Sequence, residues 1–308
     1  MKNVPPAEYP IDIDFPDIEP YRSGNTGIDW ITCFDSGKAG PHVMISAIVH
    51  GNEPCGAVAL DWLFREDVRP TTGKLSLGFM NVLAYQAFDH EKPNATRFLD
   101  EDFNRLWDLS TLDGNRQSRE LTRAREVLPW IETVDILLDL HSMQHRQPPL
   151  MMAGSLEKGR IFARKIRTPV HIVADAGHVA GKRMRDFEEL GDPDSPRNAL
   201  LYEAGQHWEA AAGPRSIEVA LRFLHALDVI EPNVGSDFLE HCSLPDEQHV
   251  IKVTEPVTVK SESFTFAEDF TGMDILQKAG TIIGHDGDQP VVTPYDDCVL
   301  IMPSRRLW

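Results

Sequence analysis

The stretch Val43-Met44-Ile45-Ser46-Ala47-Ile48-Val49-His50-Gly51-Asn52-Glu53 runs from an apolar segment straight into a histidine and a glutamate three positions apart. A second apolar run, residues 136–140, ends on His141. Short continuous apolar runs of this kind read as strands buried on both faces. Two such strands delivering His50, Glu53 and His141 to their carboxyl ends are how an α/β protein builds a three-ligand metal site. Zinc accepts imidazole nitrogen and carboxylate oxygen, and a catalytic zinc keeps a fourth position for water. The pattern predicts one zinc ion per chain.

Working outward, residues 55–65 carry Val58, Leu60, Trp62, Leu63 and Phe64 and read as a helix with a large apolar surface. Residues 75–82 read as a strand. Residues 118–131 place Leu121, Ala124, Leu128 and Ile131 at helical spacing, and the 136–140 run follows at once. Further strands are expected at 170–174 and 199–203, then a long amphipathic helix over 215–227. Strands alternating with helices predict an α/β fold, a mixed and mostly parallel sheet flanked by helices. In such sheets ligands gather at the carboxyl ends of strands. His50, His141 and Glu203 each end a predicted strand, which directs all three to one cleft.

The texture changes near Glu231-Pro232-Asn233, where residues 235–247 read as loop. From His249 onward the chain is rich in Val, Thr, Ile and Phe, with turn signals at Ala279-Gly280, Asp286-Gly287-Asp288 and Tyr295-Asp296-Asp297. This predicts a catalytic domain over residues 1–235 and a small antiparallel β-rich domain over residues 245–308.

With 42% apolar and 25% charged residues, and no apolar stretch approaching the roughly 20 residues a bilayer span needs, the 308-residue chain reads as a globular protein off the membrane. Its formal charge of -18 opposes nucleic acid and anionic membrane partners. An anionic small molecule remains admissible wherever arginines are placed locally. Residues 1–20 are rich in proline and acidic residues and show neither a signal nor a transit pattern. The scattered Cys33, Cys55, Cys242 and Cys298 show no Cys-x-x-Cys pairing. Reduced thiols in a cytoplasm are the simplest reading. Cys55 as a nucleophile competes with Cys55 as a small buried residue opening a helix. The sequence is compatible with a homo-oligomer.

Residues 96–107, Thr-Arg-Phe-Leu-Asp-Glu-Asp-Phe-Asn-Arg-Leu-Trp, set two arginines and an asparagine among acidic residues. Arginine grips a carboxylate in a bidentate fork and, beside a metal, stabilises a developing oxyanion. The competing reading is a solvated loop laced with surface ion pairs.

Taken together, His50-Gly51-Asn52-Glu53, then Arg97 with Asp102-Phe103-Asn104-Arg105, then Asp139-Leu140-His141, then Glu203-Ala204-Gly205 resemble the succinylglutamate desuccinylase and aspartoacylase family of zinc hydrolases, related to the zinc carboxypeptidases. The resemblance spans residues 40–210 in the right order and extends to the β-rich carboxyl-terminal part. It implies that His50, Glu53 and His141 bind zinc and that Glu203 is the general base. It further implies that Arg97 polarises the scissile carbonyl and that Asn104 and Arg105 hold the substrate's carboxylate end. Two departures stand out. Val82 follows Asn81 where the family has proline, which alters a turn more than the chemistry. The arginine that reads the acyl-side carboxylate in aspartoacylase-like members has Arg197 as its nearest candidate.

Each assignment has a competitor. His141 could be a core histidine at a strand end, and His145 a cleft-lining or surface residue. Asp139, on the same side of the strand as His141, either orients that ligand or is structural. Glu203 as base competes with Glu209, Glu101 and Asp102, and strand termini favour Glu203 because they are fixed. His207 and Trp208 either line the pocket or pack a helix start, and Tyr295 is a candidate hydrogen-bond donor over the cleft. The expected activity is zinc-dependent hydrolysis of the amide bond of an N-acyl amino acid or a similar small carboxylated amide. The alternatives are a zinc carboxypeptidase acting on a peptide terminus and a non-catalytic metal-containing binding protein. A hydrolase using Cys55 is a further one.

Overall fold

The computed structural model describes residues 9–261 and 263–304, so the expectation for the acidic start falls outside the described residues over 1–8. One large sheet is built from β1 (Ile31–Asp35), β2 (His42–Ala47), β3 (Lys74–Phe79), β4 (Ile136–Met143), β5 (Leu150–Met152), β6 (His171–Ala174), β7 (Asn198–Gln206) and β8 (His249–Lys252). Its order is β1-β3-β2-β4-β7-β5-β6-β8. The β3, β2, β4 and β7 strands run parallel. At one edge β1 pairs antiparallel with β3, and inside the sheet β5 pairs antiparallel with β7. This is the mixed, mostly parallel sheet that the alternating pattern predicts.

Four main helices cover it: α1 (Cys55–Arg65), α2 (Arg119–Ile131), α3 (Glu157–Ile166) and α4 (Ala212–Ala226). Every residue of β2 is buried, as a strand covered on both faces must be. Val43, Ile45 and Ala47 join one core with residues of α1, α3 and α4. Met44 joins the other with Leu121, Ala124 and Val127 of α2. The period of two along β2 therefore sorts its side chains between two layers. Ser118 starts α2 by accepting a hydrogen bond from the Leu121 amide at 2.9 Å, the usual way an orphan helix N–H is satisfied.

Three boundaries differ from expectation. The strand expected to 82 stops at Phe79, because Asn81 turns the chain into a short helix, Val82–Gln86. The loop expected over 235–247 contains a helical turn, Ser236–Leu239. The strand opening the β-rich segment, β8, pairs parallel with β6 and is the eighth strand of the main sheet. Only beyond it do small antiparallel sheets form, from β9 (Phe264–Phe266), β11 (Ile282–Asp286) and β12 (Gln289–Val292), and from β10 (Ile275–Leu276) with β13 (Cys298–Val299). Val253, Met273, Ile301 and Met302 pack this segment onto Met143, Leu150, Met152, Val173 and Leu201 of the main sheet. Among the described residues no helix is long and apolar enough to cross a membrane.

Candidate metal centre and catalytic site

The carboxyl ends of β2, β4 and β7 lie side by side in the middle of the sheet, and they carry the chemistry. At the end of β2 the buried Ile48 holds a left-handed φ of 54°. A β-branched side chain resists that conformation, and such strain persists only where surrounding structure imposes it. The turn passes through Gly51, where an added Cβ would sit 2.3 Å from the Ala84 carbonyl carbon and 2.5 Å from the Thr96 oxygen. The Gly51 amide donates to the Arg97 carbonyl at 3.0 Å, which docks the 96–107 segment beside the turn.

His50, Glu53 and His141 are all buried, and one ligand atom from each lies within 4.8 Å of the others. His50 Nδ1 is 2.8 Å from Glu53 Oε1, and His141 Nδ1 is 3.0 Å from Glu53 Oε2. The opposite edges of both rings are backed by carboxylates. Asp102 Oδ1 stands 3.0 Å from His50 Nε2, and Asp139 Oδ2 stands 2.8 Å from His141 Nε2. Imidazoles with one nitrogen turned to a shared carboxylate and the other held by an outer carboxylate have the orientation and basicity that suit a divalent cation. The donor set therefore fits a metal ion. Burial alone would raise the Glu53 carboxyl, but the two histidines hold it well below the usual range.

Arg97 completes the wall. Its Nη1 donates to Glu53 Oε1 at 3.1 Å and its Nη2 to Asp102 Oδ2 at 3.3 Å. Asp102 also accepts from the Asn104 amide at 2.9 Å, fixing the turn Phe103–Arg105. Asn104 Oδ1 accepts from the Met184 amide at 2.9 Å, its Nδ2 lies 3.5 Å from His141 Nε2, and its carbonyl accepts from Arg105 Nη1 at 2.7 Å.

Glu203 is opposite His141 in the β4–β7 register. Its Oε2 is buried without a hydrogen-bond partner. Burial, joined by the negative charge of Glu53, holds its carboxyl well above the usual range against the pull of His141 and Arg97. Two rival bases are held in ion pairs with arginines: Glu209 with Arg215, and Glu101 through its Oε2 with Arg116 at 2.8 Å. Cys55 is fully buried, donates to the His141 carbonyl at 3.3 Å, and burial pushes its thiol up to about 12, which removes the thiolate a nucleophile needs.

The remaining sequence candidates have the following places and partners. Arg197 precedes β7 and pairs with Glu189 at 3.0 Å, at the strand end opposite the one approached by Glu203. Six residues of extended chain are about 20 Å, so the proximity of Arg197 and Glu203 in sequence becomes separation in space. Tyr295 is 41% exposed and its hydroxyl bonds Thr254 at 2.6 Å. His145 lies beside Tyr9, with Nδ1 3.4 Å from its hydroxyl. Trp208 is buried and donates to the Asn52 carbonyl at 3.1 Å. Ser142, unremarked in the sequence, donates its amide to Glu53 Oε2 at 3.0 Å, and adjacency to His141 was its only signal.

Residues 39–228 match the succinylglutamate desuccinylase/aspartoacylase catalytic domain. The succinylglutamate desuccinylase of Vibrio vulnificus is 22% identical over 283 residues, covering 86% of this chain and 77% of that protein. Its counterpart in Vibrio campbellii is 25% identical over 288 residues, covering 86% and 77%. Among solved structures, succinylglutamate desuccinylase from Vibrio cholerae has a TM-score of 0.66 at 16% identity, covering 88% of this chain and 79% of that one. The product-bound ectoine utilization protein of Ruegeria pomeroyi has a TM-score of 0.56 at 16% identity, covering 98% and 99%. At these identities the solved structures establish a shared fold.

Proposed function

The chain belongs to the succinylglutamate desuccinylase/aspartoacylase family, and from that premise we propose that it is a zinc-dependent hydrolase cleaving the amide bond of an N-acyl amino acid or a similar small amide with a free carboxylate. One observation carries the reading: a buried three-donor group stands beside a buried carboxylate, Glu203, whose Oε2 has no partner. Zinc held by His50, Glu53 and His141 would supply a Lewis acid and lower the pKa of water to about 7.

The chain's own residues do the rest. Glu203 takes a proton from the attacking water and returns it to the leaving amine. A carboxyl held above its usual range by burial keeps the transferred proton more readily than an ordinary one. Arg97, held by Glu53 and Asp102, places positive charge beside the oxygen on which negative charge develops. Arg105 and the Nδ2 amide of Asn104 bind the substrate carboxylate. Free thiols at all four cysteines suit a reducing cytoplasm.

The test is a panel of N-acyl amino acids and short peptides, assayed with wild type and Glu203→Gln, before and after chelation. The expected result is hydrolysis of acyl amino acids that chelation stops and zinc restores. Glu203→Gln is expected to lose about 10²- to 10⁴-fold in kcat while retaining its metal. Release of terminal residues from peptides alone would make the protein a carboxypeptidase, and tight ligand binding without turnover at full metal occupancy would make it a binding protein.

A further inference from the structure

We propose that His207 is a positioning residue for Glu53 that acts through Ser142, so that one buried ring governs how firmly the three-donor group holds its metal. The inference rests on the metal-site reading above and deepens it.

His207 is 2% exposed and lies just past β7, with its Nδ1 2.8 Å from Ser142 Oγ. Ser142 is 3% exposed and donates its amide to Glu53 Oε2. That carboxylate oxygen is also the one facing His141 Nδ1. The Ser142 peptide therefore helps decide where the Glu53 carboxylate points relative to both imidazoles.

Ser142 needs an anchor because of where it sits. His141 opposes Glu203 but Met143 opposes Gln206, so two β7 residues, Ala204 and Gly205, face Ser142 alone. Such a bulge interrupts the ladder and leaves the local backbone without its usual interstrand bonds. Gly205 adopts a left-handed φ of 107° there, and an added Cβ would strike Glu209 Oε1 at 2.1 Å. Arg215 Nη1 donates to the Ala204 carbonyl at 3.2 Å, and Glu209 Oε1 accepts from the Gln206 amide at 3.1 Å. The His207 amide then donates to the Met143 carbonyl at 2.8 Å. These bonds fix the bulge and deliver the ring to the Ser142 hydroxyl, where a side-chain bond replaces the missing ladder. Burial pushes the ring down to about 3, so it anchors Ser142 without adding charge to the group.

The experiment compares wild type with His207→Phe, which fills the volume without the hydrogen bond, His207→Asn, which keeps a polar partner, and Ser142→Ala. Two readouts are followed: amide exchange at Ser142 in metal-free protein, and release of bound cobalt to a chelator together with the cobalt d–d spectrum. The inference expects His207→Phe and Ser142→Ala to speed both exchange and cobalt release, the latter by about 10- to 100-fold, with a shifted spectrum and substantial rescue in His207→Asn. Unchanged exchange, release and spectrum in His207→Phe and Ser142→Ala would overturn it. If wild type takes up no cobalt, the metal-site reading fails, and amide exchange still decides whether His207 positions Glu53.

Discussion

Asp139 Oδ2 lies 2.8 Å from Nε2 of His141, two residues along the same strand, while the Nδ1 edge of that ring faces Glu53. The second Asp139 oxygen accepts from Ser46 Oγ at 2.7 Å, so the carboxylate is itself held in place. Outer carboxylates of this kind set the orientation and basicity of a ligating imidazole. Asp139→Ala should therefore weaken metal binding by about 10- to 100-fold, and Asp139→Asn by less. Chelator competition measures both, and unaltered affinity in Asp139→Ala would remove Asp139 from the site.

In the proposed mechanism Arg97 meets the negative charge developing on the substrate; in the structure it bonds Glu53 and Asp102. Losing one such donor typically costs about 10²- to 10³-fold in kcat. Steady-state kinetics should show a loss of that size in Arg97→Ala, with KM moving less, and partial recovery in Arg97→Lys. A change confined to KM would make Arg97 a binding residue only.

Arg197 is predicted to be dispensable. Its partner Glu189 has a side chain that is 59% exposed, and exposed ion pairs contribute at most about 1 kcal/mol. Arg197→Ala should leave kcat/KM unchanged for every acyl group tried. A selective loss with dicarboxylic acyl groups would show that this arginine reaches the substrate after all.

Stability should fall at alkaline pH. Burial pushes the Cys55 thiol up to about 12 from an ordinary 9.0. Burial likewise holds the Tyr85 and Tyr202 hydroxyls above their ordinary 10.0. Between the unfolded and folded values the unfolded chain has released protons that the native protein keeps, so rising pH favours unfolding. The contribution of these groups is intact below about pH 8.5 and drains away as pH climbs through the folded values. Tm should drop progressively above pH 9, and Tyr202→Phe should flatten the slope. A Tm independent of pH up to 11 would contradict this.

Much of the sheet was readable because strands covered on both faces leave continuous apolar runs, as in β2 and β4. The helix expected over 55–65 has the bounds Cys55–Arg65, since its apolar surface and its charged end are both local signals. The period of two also put Asp139 and His141 on one face correctly. What escaped was nonlocal. Nothing in the composition of residues 249–252 tells whether they edge the main sheet or open a separate one. The bulge opposite Ser142 depends on Gly205 meeting Glu209 and Arg215, a contact between segments. Arg197 is near Glu203 in sequence, but a strand turns that nearness into distance, which the sequence alone does not display. In the sequence Asp102 reads as a candidate base, whereas its bond to His50 appears only once the 96–107 segment docks on Gly51.

The central claim is that His50, Glu53 and His141 jointly hold a divalent metal. Metal content per chain, measured on purified wild type and on His141→Ala after equal exposure to zinc, tests it most directly. Close to one zinc is expected in wild type and little in the variant. Equal metal content in both, or an active wild type stripped of metal, would contradict it.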